Sequence, residues 1–396
     1  MAGSPGMAAA DDGDRDETVA VPCDTAALIR SLTEANTRIG ARLSLAKKCT
    51  YTLTADQGNS NGLPPITQPM TILGNGATLT RAAAAPSFRI LEIADGGDLR
   101  LNQVTISNGN LTGANEGGGV LVGEAGRLHL DRSTVTGNRT VTDGAGLYNE
   151  GITTLSDSTV SANAAGNDGG GLYNYYAKLT ITKTRIIRNT AQGSGGGLYT
   201  DSGSVTVKSA LFEGNSTPGD GGAIHQSDGS VDLLDATIRS NTAGRGGAVF
   251  HNNEGLHIRK SRLIGNTAAT HGGALYLTAP AVIDGTLIQG NTALRGFGGG
   301  AYVATNAADQ EAVSFQRSRI AQNQAPGVGF SAGGIYVAAG ALVNLTDTEV
   351  VRNSSNTAPG GIFNAGTVNT FGRVTIANNL PTNCTGSPNP VPGCVG

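Results

Sequence analysis

Asp220, His225, Arg245, His251 and His271 stand close together in a chain that holds only 5 histidines. They recur in step with a repeat of about 25 residues, so they should fall on three adjacent turns and on roughly one side. A carboxylate, a cation and titratable imidazoles within mutual reach are the ingredients of acid–base work on a polysaccharide. A simpler account carries more weight: exposed corners of a repeat vary freely among polar residues. Asp143 and Asp168 occupy the same corner on earlier turns, near the lower end of the ~5–10 Å that separates paired hydrolytic carboxylates. They read equally as ordinary corner residues or a weak calcium site. His129 and His257 alternate outward on strands and read as surface residues. The histidines lack a close ligand spacing and the cysteines sit at the chain ends, so no metal site is expected. The glycines precede strands rather than helices, which argues against a nucleotide loop, and no cofactor is expected.

A second group could bind rather than react. Tyr148, Tyr173, Tyr199, His225, Phe250, Tyr276, Tyr302, Tyr336 and Phe363 form one column of the repeat, and it takes eight of the chain's seventeen Tyr and Phe. Alternation places these rings opposite a buried aliphatic column, facing outward, with a Gly/Ala column on the same face leaving space beside them. They form either a stacking ladder that stiffens a sheet or a ring-lined stripe that docks a glycan or polymer. Uniform ladders are common in stacked sheets, which favours the first.

The repeat that must position both groups has two landmarks. Each unit opens with a small residue before an aliphatic, at Gly119, Gly146, Gly171, Gly197, Ala223, Ala248, Ala274, Gly300, Gly334 and Gly361. Each closes with an aliphatic or Phe three residues before an Asn, from Val135/Asn138 and Val160/Asn163 through Phe212/Asn215 to Ile376/Asn379. Between them lie alternating stretches such as Leu179-Thr180-Ile181 and Val205-Thr206-Val207. Period-2 alternation over short runs bounded by Gly, Asn, Ser and Thr marks half-buried strands, about three per unit. Like residues recurring at one place in every turn predict a parallel β-helix, an all-β solenoid. In that fold Asn closes the third strand because it tolerates a left-handed corner, and its stacked amides bond along the axis. A further column, Arg132, Asp157, Lys183, Ser209, Asp235, Lys260, Gly285, Arg317, Asp347 and Arg373, reads as a solvated charge ladder of alternating sign. The expected body has 12 or 13 coils over residues 50–380, with insertions near 107–118, 303–312 and 324–333 where specificity usually lives.

The ends read as closures. Ala27, Leu28, Leu32, Ala35 and Ile39 recur at helical spacing, so a cap over 21–49 should carry a short amphipathic helix. Cys23 with Cys49 and Cys384 with Cys394 suggest two local disulfides, the second closing a tail over 381–396, and hence an oxidising compartment. Residues 1–20 read as a disordered segment, and Ala8-Ala9-Ala10 before Asp11-Asp12 looks like the cleavage end of a secretory signal whose beginning is missing. The formal net charge is −3 and no basic stripe appears, so no nucleic-acid partner is expected. No apolar run approaches the ~18–20 residues of a membrane span.

Gly221-Gly222-Ala223-Ile224 and Phe212-Glu213-Gly214-Asn215 resemble the GGAI and FxxN repeat signature of polymorphic outer-membrane proteins. The head VPCDTAALIRSLTEAN, with KKCTYTLT and NGLPPIT, is similar to secreted bacterial right-handed β-helix proteins with a CSLREA-type start. The resemblance spans most of residues 23–394 and implies a right-handed parallel β-helix. For function it implies an adhesin-like, secreted or surface protein, although no run of alternating strands follows residue 396 to supply an autotransporter barrel. Enzymes on this fold include polysaccharide lyases and glycoside hydrolases, but no polygalacturonase-like NTD, DD, GHG and RIK set is present. The expectation is a secreted or cell-surface, monomeric, non-catalytic scaffold that binds a polysaccharide or protein partner through an outer face. The alternative is a carbohydrate-active enzyme using the residue 220–271 cluster.

Overall fold

The computed structural model describes residues 18–253, 255–305, 312–327, 329 and 331–396. Its strands stack in about 14 parallel turns of a right-handed β-helix, rather than the 12 or 13 read from the repeat. The additional turn comes from the head. β1 (Thr18–Val21) pairs in parallel with β2 (Ala41–Leu45), and β2 with the strand Pro69–Arg81. Rungs therefore start before residue 50, and strand Thr18–Val21 begins inside the segment 1–20 expected to be disordered; residues 1–17 of that segment lie outside the described residues. At ~4.8 Å per rung the stack runs roughly 65 Å.

Each regular turn holds four strands, one more than alternation suggests. In one turn they are Leu172–Tyr175, Lys178–Thr182, Arg185–Ile187 and the two-residue Thr190–Ala191. Alternation sends Leu172, Leu179, Ile181 and Ile186 inward, where all are buried, and the same columns in other turns build one continuous core. Every rung supports only its neighbours, so the fold is a sum of like interfaces.

One of these interfaces is polar and fully buried. Asn138, Asn163, Asn189, Asn215, Asn241, Asn266, Asn291, Asn323, Asn353 and Asn379 form a buried ladder. Oδ1 of Asn241 accepts from the backbone N–H of Asn215 at 2.9 Å and from its Nδ2 at 3.0 Å. Its own Nδ2 donates to the Phe212 carbonyl at 3.2 Å and to Asn266 Oδ1 at 2.9 Å. Both lone pairs and both protons are thus used on every interior rung. The left-handed corner belongs to the residue before the Asn, not to the Asn itself, as at Ala162 (φ 53°), Arg188 (54°) and Ser240 (56°). The turn at that preceding residue frees the Asn side chain to point along the axis.

Two further columns depart from expectation. The small residues before the aliphatic face inward on this ladder rather than beside the rings: a Cβ on Gly146 would meet the Gly171 carbonyl oxygen at 2.3 Å and Asn163 Nδ2 at 2.9 Å. The charged column from Arg132 to Asp347 shares a left-handed backbone, φ 46–57°, and Ser209 and Gly285 belong to it for that reason. Geometry, not alternating sign, defines that column; Arg373, beside left-handed Gly372, leaves it.

Helix α1 (Thr25–Ala35) lies against the first rungs, with the Asp24 carboxylate accepting from the Ala27 N–H at 2.7 Å as its N-cap. Ala27, Leu28, Leu32 and Ala35 are buried, whereas Ile39 lies beyond the helix and is exposed. Cys23–Cys49 ties the helix strap to the stack, and Cys384–Cys394 closes the tail. Asn383 of that tail accepts from both the N–H and the amide of Asn379, ending the ladder.

Asn241→Ala strands the Asn215 N–H, the Asn215 amide and the Phe212 carbonyl in the core. At about 1–3 kcal/mol per buried unsatisfied group, the loss should be roughly 3 kcal/mol or more. Ser240→Gly next to it relieves a left-handed backbone and should be neutral or stabilising by up to ~1 kcal/mol. Equilibrium urea unfolding of the pair measures both, and equal effects would contradict the ladder's primacy.

Candidate functional site

The aromatic column is a continuous stack. Centroids of successive rings from Tyr148 to Phe363 lie 4.6–5.2 Å apart at interplanar angles of 4–14°. The spacing is the rung spacing, so in-register pairing such as Tyr173↔Tyr199 and Tyr199↔His225 imposes the stack. Left-handed glycines fold the corner loop back onto it: a Cβ on Gly169 (φ 64°) would lie 3.0 Å from Tyr173 Cβ. Tyr148, Tyr173, His225, Phe250, Tyr276 and Phe363 are consequently buried, and only Tyr199, Tyr302 and Tyr336 are half-buried. The open, outward-facing stripe expected from alternation is replaced by a stack that offers edges and hydroxyls, because each interior ring covers its neighbours' faces. In the two preceding rungs the same position is held by Leu121 and Glu92. Glu92 accepts from Asn61 Nδ2 at 2.6 Å and pairs with buried Arg89, whose pKa burial lowers.

The corner column forms a second row along one flank. Asp143 Oδ1 accepts from the Asp168 N–H at 2.8 Å, and Asp168 in turn accepts from the Ser194 N–H. Burial raises the pKa of both carboxyls. The Asp220 N–H donates to Ser194 Oγ at 3.2 Å, and its carboxylate takes a two-pronged bond from Arg245, Nε to Oδ1 at 2.8 Å and Nη2 to Oδ2 at 2.6 Å. That bond raises the guanidinium's pKa further. The Arg245 head lies 5.0 Å above the ring centres of both Phe250 and Tyr276, a cation–π arrangement. His271 follows, 5.0 Å from the Tyr302 ring and 4.9 Å from Phe297, with Nδ1 accepting from the Phe297 N–H at 3.1 Å. Phe297 stacks on Tyr336 at 4.7 Å.

Of the five proposed acid–base residues, Asp220, Arg245 and His271 share this flank, and His225 lies in the adjoining ring column. Asp220 has both oxygens engaged by Arg245. His225 is sandwiched between Tyr199 and Phe250 at 4.6 and 4.7 Å, with Nδ1 lacking a hydrogen-bond partner, and burial pushes its pKa down to about 4. Burial, then Arg245, lowers His271 as well. His251 is a correction: it follows Phe250, so alternation turns it into the core. There its ring nitrogens lie 3.0 Å from Gln226 Oε1 and from the Pro280 carbonyl oxygen. Both are acceptors, and a neutral ring can donate to only one of them. Burial pushes this imidazole to about 4 too.

His251 belongs to an inward polar column, Asn149, Asn174, Thr200 and Gln226, which Leu277 ends. Its side chains satisfy carbonyls of the tight turn that follows, as Asn174 Nδ2 does for Ala177 at 3.0 Å and Gln226 Nε2 for Gly229 at 2.6 Å. The column was readable from alternation, one residue past each ring. The corner row through Arg245 and His271 was readable from the repeat, but Phe297 and the packing of this row on the rings were not, since those contacts depend on the course of the corner loop. His129 is half-buried on the sheet and His257 is exposed. Among the described residues no three His, Cys, Asp or Glu side chains gather as a metal group. Of the insertions, residues 306–311, Val328 and Phe330 lie outside the described residues.

The family described as right handed beta helix region matches residues 89–281. Among solved structures the chain is similar to PfbA, a surface adhesin of Streptococcus pneumoniae, at 9% identity and a TM-score of 0.40, covering 88% of this chain and 86% of that one. No curated protein matches the chain.

The two buried histidines set a pH dependence. Their folded pKa values, about 4, lie below the unfolded value of 6.5, so the unfolded chain takes up protons first as pH falls. Their contribution is present above pH 6.5 and is lost between there and about 4, roughly 3 kcal/mol for each histidine. Asp143 and Asp168, raised by burial, act in the opposite sense: their contribution is fullest below the unfolded pKa and is lost as pH rises through the folded value. Melting temperature should therefore fall on acidification from pH 7 to 4.5, and His251→Leu, which copies Leu277, should flatten that slope by about half. A slope unchanged by the substitution would mean that His251 charges freely inside the core.

Proposed function

We propose that this chain is a secreted or surface-associated scaffold, monomeric and without catalytic activity, that binds a polysaccharide or cell-surface protein along the ring-bearing face. The observation that carries the reading is the stack itself: nine planar rings on successive rungs, edged by six phenol hydroxyls and flanked by one polar row. A polymer presents the same group at regular intervals, and a solenoid answers it with the same group on every rung. The flank's ionisable residues are spent on one another, Asp220 on Arg245 above all, which suits a fixed binding surface better than a site that must exchange protons. Two disulfides in a chain without free cysteines support an oxidising, extracellular setting. Among the described residues no helix is long and apolar enough to cross a membrane. The GGAI and FxxN resemblance also supports a surface role.

Because ring faces are covered and only Tyr199, Tyr302 and Tyr336 of the column are half-buried, the informative substitution keeps the rings. In the variant Tyr199→Phe/Tyr302→Phe/Tyr336→Phe the stack should persist, with melting temperature within a few degrees of the parent. Binding on an array of glycans and surface proteins should weaken about tenfold through loss of three hydrogen-bonding hydroxyls, each worth ~0.5–1.5 kcal/mol. Unchanged binding would leave the column a purely structural element.

A further inference from the structure

Tyr175 and Tyr176 stand outside the ring column and differ from it in the property that matters for recognition. Tyr176 is 69% exposed, the most open aromatic among the described residues. Tyr175 braces it edge-on, with ring centres 4.7 Å apart at 83°. Tyr175 is itself tilted against Tyr148 and Tyr173 at 6.4 and 6.5 Å, so the pair is anchored to the stack. Tyr176 also holds a left-handed backbone, φ 49°, in a turn where other rungs place Ser202 (63°), Gly229 (72°) and Asn253 (58°). A bulky aromatic there is strained and out of type. Tyr176 lines an open cavity of about 510 Å³ that crosses four rungs, together with Glu124, Glu150, Gly151, Lys178 and Ser204. Burial, then Glu116, Glu124 and Asp95, raises the Glu150 carboxyl.

We propose that this cavity is a sugar subsite that seats one uncharged pyranose of a glycan on the open face of Tyr176, with Glu124, Glu150 and Lys178 bonding its hydroxyls. An exposed ring face for the apolar side of a sugar, ringed by a few convergent polar groups, is the composition of a carbohydrate pocket. With two carboxylates against one lysine the wall repels uronates, which excludes an anionic ligand. The subsite deepens the polysaccharide reading and rests on it for ligand class alone, since it adjoins the stack through Tyr175 but uses none of the stack's hydroxyls.

Binding is read by isothermal titration calorimetry, because the chain has 9 tyrosines and the Tyr176 variants would alter any tyrosine fluorescence signal. Titrations with cellohexaose, xylohexaose, chitohexaose and oligogalacturonate are made on the full chain and on Tyr176→Gly, Tyr176→Phe and the triple Tyr→Phe variant of the stack. At least one neutral oligomer should bind and oligogalacturonate should not. Tyr176→Gly should weaken binding about tenfold while leaving the melting temperature equal or higher, since glycine relieves the left-handed backbone. Tyr176→Phe, which keeps the face, should bind like the parent. Full affinity in Tyr176→Gly together with weakened binding in the triple variant would overturn the subsite and leave the stack reading intact. No binding of any neutral oligomer by the parent, or preference for oligogalacturonate, would overturn the subsite outright.

Discussion

The buried asparagine ladder is the interaction on which the rest of the molecule depends. A backbone turn in a solenoid leaves N–H and C=O groups facing inward at the corner, where water cannot reach them. One amide per rung answers this need twice, accepting from the rung before and donating to the rung after, as Asn189 does between Asn163 and Asn215. Since the amide bonds only when rungs are in register, the ladder also fixes that register. The aliphatic core alone would tolerate slippage, because Leu, Ile and Val replace one another in its columns at little cost. The hydroxyls of Ser133, Ser158 and Thr184 play a similar part at the next corner, each bonding the carbonyl two residues earlier at 2.7–2.9 Å.

Register in turn makes the aromatic stack. Rings held one rung apart fall at a spacing close to that of favourable face-to-face offset packing, so the sheet and the rings stabilise each other. The same closeness withdraws the ring faces from solvent. A column selected for stiffness is therefore poorly suited to stacking on a ligand, and recognition moves to ring edges, to the flanking corner row and to turns that break the pattern. Tyr175 and Tyr176 form such a break.

What could be read in the sequence follows the same logic. The aliphatic, asparagine and ring columns are in-register properties, so the period alone exposes them, and both disulfides are local enough to pair by position. Ring burial was hidden because it depends on the corner glycines folding back, a tertiary event. The inward turn of His251 was available from alternation, one step past Phe250, yet spacing along the chain grouped it with His225 and His271. The head rungs lack the small-residue opening unit, and so the count came up short. The corner row was readable from Asp143 to His271, but its continuation to Phe297 and its contacts with the rings were not, because Arg245, His271 and Phe297 share a position but no chemistry.

That diversity has a physical reason. In a one-dimensional stack each rung feels only its neighbours, so a corner side chain need satisfy only the ring beneath it and the corner residues on either side. The ring column is stricter: it requires planarity, and His225 is accepted between Tyr199 and Phe250 because an imidazole is as thin as a phenol. It brings no hydroxyl, nor does Phe250. The hydroxyl edge accordingly divides into one run from Tyr148 to Tyr199 and another from Tyr276 to Tyr336. Over the boundary between them lies the Arg245–Asp220 pair, resting on Phe250 and Tyr276. The guanidinium carbon lies 5.0 Å from the centres of both rings, so the face changes from hydroxyl to cation and back without any break in the stack beneath.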